Sequence, residues 1–301
     1  MLDRRHALKL TAAALAGPFA TAACAATEYR VGEITARVLS DGVMSVGSDR
    51  LVATPHTAEA AAVIDRIGAM AGHRFAVNVT QLTVGGRRML IDTGAGGTWV
   101  ETAGKLADDL QAASIPAAEV DLVVLTHGHP DHLWGVIDDF DDTLRFTRAR
   151  YVIPRTELDF WLTPGRAEAL GAGDGIIAGA RRVLGRIADR LTPLGANEEI
   201  APGVAYVAAH GHTPGHCAVL ATSGSESLIV ASDTLFHPVV SVEHPDWSPQ
   251  QDMDPAAAVA SRKRVLDLAA SRRALVVAYH IAHPGAGRIE RSGAGYRWRQ
   301  P

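Results

Sequence analysis

Short apolar runs separated by turn residues fill most of the chain, and their periodicities predict a mixed α/β order. Residues 29–39 read as a strand that breaks at the turn signal Asp41-Gly42. Within the Ala-rich stretch 51–76, Ala60, Val63, Ile64 and Ile67 recur at helical spacing and the pattern ends near Gly72, which predicts a helical insertion near the surface. Residues 80–84 and 87–91 flank Gly85-Gly86, a two-residue hairpin signal, and the second strand runs into Asp92-Thr93-Gly94. A short amphipathic helix is expected over 104–113. Residues 120–125 are apolar apart from Asp121, which predicts a buried strand. Further strands are expected at 151–153, 204–209, 217–222, 227–231 and 274–279. Helices are expected over 157–162, 176–187 and 255–270, the last with Asp254 as N-cap and Pro255 at its first position. A length of 301 residues would alone suggest two domains. The alternation of strands and helices, with no repeat and no long linker, favours instead one α/β domain over 27–301, sheets in the middle and helices outside.

The first 26 residues stand apart from that pattern. Twin arginines, Arg4-Arg5, precede an apolar stretch at 10–20 interrupted by Pro18, and small residues follow at 22–26. The apolar stretch is well short of the ~20 residues that span a bilayer. The layout resembles a twin-arginine export signal ending in a cleavage site, so residues 1–26 are expected to be removed and the protein to be periplasmic or secreted, without stable membrane insertion. An N-terminal anchor is the rival reading. Loss of three basic and one acidic residue would take the net charge from −4 to about −6. No Lys/Arg block stands in the body of the chain, which disfavours nucleic acid as a partner. Of the two cysteines, Cys24 would leave with the signal, so Cys217 has no internal disulfide partner. Cys217 reads as a small buried residue opening a strand rather than as a soft metal ligand.

The histidines are not scattered. Thr126-His127-Gly128-His129-Pro130-Asp131-His132 directly follows the expected strand 120–125, placing four ligand-type side chains within six residues. Two histidines at i and i+2 can converge from a strand-end turn, and Asp131 and His132 can face an adjacent position once a helix starts. Neutral imidazole with carboxylate suits Zn²⁺ and also Fe, Mn or Co. His210-Gly211-His212-Thr213-Pro214-Gly215-His216, Ser232-Asp233-Thr234 and His280 each close another expected strand. A buried strand that ends in Asp or His needs a partner for that group, and a shared metal site gives all four strand ends the same one.

His-x-His-x-Asp-His, then Gly-His-Thr-Pro-Gly-His, then Asp, then His resembles the metallo-β-lactamase superfamily, and Asp92-Thr93-Gly94 belongs to the same pattern. The run Tyr279-His280-Ile281-Ala282-His283-Pro284-Gly285-Ala286-Gly287, with Gly295-Tyr296-Arg297-Trp298 and Asp159-Phe160-Trp161-Leu162, is similar to the branch containing methyl parathion hydrolase and quorum-quenching lactonases. The resemblance spans roughly residues 82–298. It implies an αβ/βα four-layer sandwich with two divalent metal ions at one edge, zinc foremost. His127, His129 and His212 would hold the first, Asp131, His132 and His280 the second, and Asp233 would bridge them. The branch usually has a large apolar residue where this chain has His283, which makes His283 a rival to His280. His280 is preferred because it follows the strand directly and matches the motif. His210 and His216 are read as structural, Asp92 as a loop anchor or an orienter of a ligand histidine, and His56, His73 and His244 as surface residues. His237 is expected near the pocket.

The resemblance further implies a hydrolase in which a metal-bridging hydroxide attacks a small ester-type substrate: a lactone, an aryl ester or a phosphotriester. Asp131 and Asp233 would be the catalytic carboxylates, and Asp131 would also accept a proton. Trp134, Trp161, Phe236 and His283 are the candidate pocket walls. No separate general acid is evident, so good leaving groups or strained rings suit the site. An iron-dependent oxygenase of sulfur compounds, a β-lactamase and a non-catalytic binding module are the alternatives. The sequence leaves the oligomeric state open, a homodimer being one possibility because the branch often dimerises.

Overall fold

The computed structural model describes residues 26–53, 57–68, 72–293 and 295–301, apart from the side chains of 48 and 49. Almost the whole export-signal reading, and with it Cys24, lies outside the described residues, as does His56. The first sheet has seven strands. Five come first in the chain: β1 (Thr27–Val31), β2 (Ile34–Val46), β3 (His73–Val84), β4 (Arg87–Ile91) and β5 (Leu122–Val124). A small ribbon, β6 (Ile137–Asp138) with β7 (Thr143–Leu144), intervenes before β8 (Arg150–Pro154) and β9 (Leu191–Leu194) complete the sheet. β1 to β4 form an antiparallel meander, and β5, β8 and β9 continue in parallel. The second sheet follows in strict chain order: β10 (Glu199–Ala201), β11 (Val204–Ala208), β12 (Cys217–Ser223), β13 (Glu226–Ser232), β14 (Leu275–Ala278), β15 (Ala286–Ser292) and β16 (Gly295–Arg299). Only its β13–β14 pair is parallel. The helices are α1 (Ser48–Leu51), α2 (Ala58–Arg66), α3 (Leu106–Ala112), α4 (Pro130–Leu133), α5 (Arg155–Leu162), α6 (Arg166–Ala169), α7 (Asp174–Arg186) and α8 (Pro255–Arg272).

Period-two alternation divides the strand residues between three cores. Met89, Ile91, Leu122, Val124 and Val152 of the first sheet meet Tyr206, Val219, Val230 and Val277 of the second in the central layer. Their neighbours Leu90, Val123, Tyr151 and Ile153 face outward onto Leu106, Leu110, Phe160 and Ile177 of α3, α5 and α7. On the far side Ala218, Ile229 and Val276 face Val265, Leu266 and Ala269 of α8. Helix, sheet, sheet, helix is therefore the layer order, as expected of an αβ/βα sandwich. No helix among the described residues is long and apolar enough to cross a membrane.

The structure corrects the early boundaries. The expected strand 29–39 is a hairpin that turns at Gly32, where φ is +57°. Asp41-Gly42 does not end β2 but forms a bulge between Ser40 and Val43, after which pairing with β3 resumes. The reason is that Asp41 turns inward and accepts backbone N–H bonds from Ala95, Gly104 and Leu106 at 2.8–3.0 Å. A side chain at Gly42 would meet the Thr102 carbonyl. The helical insertion is two short helices, α1 and α2, and β3 begins at His73 rather than near Thr80. Ala60, Val63 and Ile64 do form one buried face of α2, packed with Phe75, Phe236 and Trp247 beside the histidine cluster. The C-terminal hairpin β15–β16 had no counterpart among the expected strands. Asp254 caps α8 through its side chain, accepting from the Ala257 N–H at 3.0 Å.

Candidate metal centre

Four strand ends converge on one edge of the sandwich. The loop after β5 carries His127 and His129, and α4, with Pro130 at its first position, adds Asp131 and His132. His212, Asp233 and His280 follow β11, β13 and β14. Two donor groups result: His127, His129, His212 and Asp233, and beside them Asp131, His132 and His280. Within each group the ligand-type atoms lie within 4.8 Å of one another.

The hydrogen bonds on the far side of each ring decide which nitrogen faces inward. His132 Nδ1 donates to Asp92 Oδ2 at 2.9 Å, His212 Nδ1 to Asp252 Oδ1 at 3.1 Å and His280 Nδ1 to the Ala76 carbonyl at 2.8 Å. His127 Nδ1 is occupied by the Thr126 hydroxyl at 3.1 Å. These four rings present Nε2. His129 is the exception and presents Nδ1, 3.1 Å from His127 Nε2 and 2.9 Å from His212 Nε2. Three imidazole nitrogens this close cannot all hydrogen-bond one another, whereas nitrogens on one tetrahedral Zn²⁺ at 2.0–2.1 Å stand roughly 3.3 Å apart. Asp233 spans the groups: Oδ1 is 2.9 Å from His132 Nε2, and Oδ2 is 3.1 Å from His212 Nε2 and 3.3 Å from His280 Nε2. His132 Nε2 and Asp233 Oδ1, although 2.9 Å apart, are not aligned for a hydrogen bond to each other, and both are buried without another partner. Buried polar atoms in this state call for a ligand, and the donor set fits a divalent cation. The chain therefore carries a His/Asp metal-binding cluster.

Charge follows the same division. Burial keeps His129 and His216 neutral, each pushed down to about 3, and holds His127 well below the ordinary range. Burial also opposes a proton on His212, but Asp233 and Asp252 outweigh it and hold that ring up to about 9. His132 is likewise raised, by Asp233, Asp131 and Asp92. Burial would raise the Asp131 and Asp233 carboxyls, yet His132 and His280 hold both below the usual carboxylate range. A cation binding here displaces the protons of His132 and His212.

Supporting groups lock this arrangement. Asp92 accepts from the Thr126 amide and hydroxyl, both at 2.7 Å, as well as from His132, so it orients a ligand-type histidine. His216 donates to the Ala209 carbonyl at 2.8 Å and accepts from the Asp233 amide at 3.2 Å, which places the Asp233 backbone. Tyr279 stacks on His132 and donates to the Asp131 carbonyl at 2.7 Å. Three groups escaped the sequence reading. Glu157, fully buried, accepts from Gly128 N–H and Trp161 Nε1 with one oxygen and from Thr213 Oγ1 and Gly215 N–H with the other, clamping the two histidine loops together. Asp252 and Arg262 form a buried ion pair behind His212.

A cleft of about 570 Å³ opens over the centre. His129, Asp131, His212, Asp233 and His280 form its floor, and Met44, Val46, Trp99, Val100, Leu170, Ile176 and Met253 form much of its wall. Among the four expected wall residues Phe236 lines it and stacks on His280. The other three stand outside. Trp134 lies behind Trp99, ring centroids 5.4 Å apart, and packs against Gly179 of α7. Trp161 is fully buried beneath His129. His283 binds Asn78 Oδ1 at 2.8 Å instead of reaching the donor groups. His237 caps the π-helical segment Pro238–Glu243, and Cys217 lies in the central core.

A family model described as the Metallo-beta-lactamase superfamily matches residues 73–280, and the chain belongs to that superfamily. Hydrolases are among its similar solved structures. AidC, a dizinc quorum-quenching lactonase in complex with a product, is 27% identical with a TM-score of 0.82, over 92% of this chain and 97% of that one. The hydrolase AbOPH is 23% identical with a TM-score of 0.84 over the same shares, and a probable metal-dependent hydrolase from Staphylococcus aureus is 17% identical with a TM-score of 0.75, over 91% and 99%. These two speak for the fold. No curated protein sequence matches the chain. The chain is a hydrolase of this superfamily.

Proposed function

We propose that this chain is a dinuclear hydrolase of small ester-type substrates, lactones first, with aryl esters and phosphotriesters in the same class. The observation that carries the reading is Asp233, whose two oxygens face different histidines of the two donor groups. His127, His129 and His212 would hold one divalent ion and Asp131, His132 and His280 the other, zinc being the best fit to the set. Such a pair supplies a water whose pKa falls toward ~7 and polarises the scissile oxygen. The chain's own residues do the rest. Asp233 fixes the spacing, and Asp131, 7% exposed at the cleft floor, is placed to take the proton of the attacking water. The apolar wall holds an acyl or aryl substituent and excludes water. The lining offers no Tyr or Lys among the described residues, and its third carboxylate, Asp252, is tied to His212 and Arg262. Good leaving groups and strained rings therefore suit it. The dizinc lactonase, similar over nearly the whole chain, supports the lactone class.

The test is a panel of lactones, aryl esters, phosphotriesters and a β-lactam on metal-loaded protein, with elemental analysis of the wild type, Asp233→Asn and His212→Ala. Two ions per wild-type chain are expected, with one position damaged by His212→Ala and both by Asp233→Asn. Two ions and near-normal turnover in Asp233→Asn would remove the bridge, and oxygen uptake without hydrolysis would move the protein to the oxygenase class. We also infer that residues 27–301 work as one unit exported by residues 1–26; N-terminal sequencing of protein recovered from the producing cell tests the cleavage.

A further inference from the structure

We propose that Arg262 is the positioning residue that couples the two metal positions, setting His212 through Asp252 and Asp233 through the Thr234 carbonyl. The proposal rests on the dinuclear reading. Arg262 lies on the inner face of α8 and is 1% exposed. Its guanidinium makes four hydrogen bonds in three directions. Nη2 donates to Asp252 Oδ2 at 3.0 Å, Nε to the Thr234 carbonyl at 3.0 Å, and Nη1 to the carbonyls of Pro245 at 3.2 Å and Trp247 at 2.5 Å.

The first direction serves one metal position. Asp252 takes three donors: Arg262, the Ser248 hydroxyl at 2.5 Å, and His212 Nδ1. With its other oxygen thus fixed, it receives the His212 Nδ1 proton and turns Nε2 inward. The same segment is pinned by its backbone, because Met253 N–H donates to the His212 carbonyl and Asp254 N–H to that of Gly211. The second direction serves the bridge. Thr234 directly follows Asp233 in a tight turn closed by Thr234 N–H to the Ala231 carbonyl, with Ser232 held at φ +48°. Holding the Thr234 carbonyl fixes the exit of that turn, and His216 fixes its Asp233 amide. A guanidinium is planar and rigid, so its bonds are geometrically linked, whereas a lysine ammonium is a point charge that cannot reach all four acceptors. The positions of His212 and Asp233 are therefore referred to one rigid group.

Cobalt(II) titration followed by visible absorption, with the Co–Co distance from X-ray absorption, tests this on the full chain. Asp252→Asn should weaken the position served by His212 by about 10–100-fold and leave the other unchanged. Arg262→Lys, which keeps the charge, should weaken both positions by at least about 10-fold and broaden or lengthen the Co–Co distance. If Arg262→Lys does not fold, the double variant Asp252→Asn/Arg262→Met, which leaves no unpaired buried charge, is measured for the same double loss. Wild-type affinities and Co–Co distance in whichever variant folds, or loss confined to the His212 position in Arg262→Lys, overturns the coupling. A wild type that takes only one cobalt overturns the dinuclear reading instead, and the two failures are distinct.

Discussion

Gly215→Ala should separate the two histidine loops. A Cβ at Gly215 would lie 2.1 Å from the Glu157 backbone nitrogen and 2.5 Å from its Cα. Ordinary contact needs about 3.5 Å, so the 213–216 loop or α5 must retreat by roughly 1.4 Å. Both obstructing atoms are backbone at the start of α5, which has no rotamer by which to yield. The retreat stretches the Gly215 N–H bond to Glu157, now 3.0 Å, and strains the 2.6 Å bond from Thr213. Hydrogen bonds to a charged group contribute about 1.5–3 kcal/mol each, so loss of both costs roughly 3–6 kcal/mol. That is a large part of the ~5–15 kcal/mol that holds a domain folded. His212 sits three residues away on the same loop, and metal–ligand distances tolerate only about 0.2 Å. Urea denaturation of the metal-free variant should show a lower midpoint at unchanged slope, and elemental analysis of the loaded variant should show one position depleted. A variant with the wild-type midpoint and full metal content would refute the claim that Glu157 rigidly clamps the loops.

Further outcomes concern the two C-terminal histidines and the buried thiol. His280→Ala should lose one metal position and most activity, whereas His283→Ala should keep metal content, because His283 binds Asn78 rather than the centre; the reverse pattern in elemental analysis would exchange their roles. Burial pushes the Cys217 thiol up to about 12, so Cys217 of the native protein at pH 8 should resist iodoacetamide and label only after unfolding in urea, read by peptide mass spectrometry. The folded value lies above the unfolded one. Stability from burying the neutral thiol is thus complete below pH ~9 and is lost as pH rises toward 12, which a Cys217→Ala comparison of alkaline unfolding midpoints checks.

The donor residues were legible because each closes an apolar run: His127, His212, Asp233 and His280 all stand within a few residues of a strand's last buried position. Their supports were not, because each gathers partners far away in sequence. Glu157 joins Gly128 to Thr213 and Gly215, and Arg262 joins Asp252 to Thr234 and Trp247. A signal did exist: both charges occupy the buried stripe of a helix, Glu157 with Phe160 and Trp161, Arg262 with Val265 and Leu266. A charge in an apolar stripe asks for a buried partner. The pocket wall was only half legible: from the sequence Trp134 and Trp161 fit a pocket wall or core packing equally, and both pack in the core, whereas the loop that reaches the cleft is the one carrying Trp99. Turn residues misled at Asp41-Gly42, where tertiary hydrogen bonds convert a stop signal into a bulge.

Each sheet is drawn from one continuous half of the chain, 27–194 for the first and 199–301 for the second. His127, His129, Asp131 and His132 belong to the first half, and His212, Asp233 and His280 to the second. Each donor group draws on both. An ion in either position is therefore a cross-link between halves, and its affinity is felt as cohesion: at a thousandfold excess over its dissociation constant it adds about 4 kcal/mol. A chain cut in the turn at 195–198 would present two fragments that share the central apolar core and whose association a bound cation strengthens. Chelation would then weaken their association, and restoring a divalent cation would tighten it.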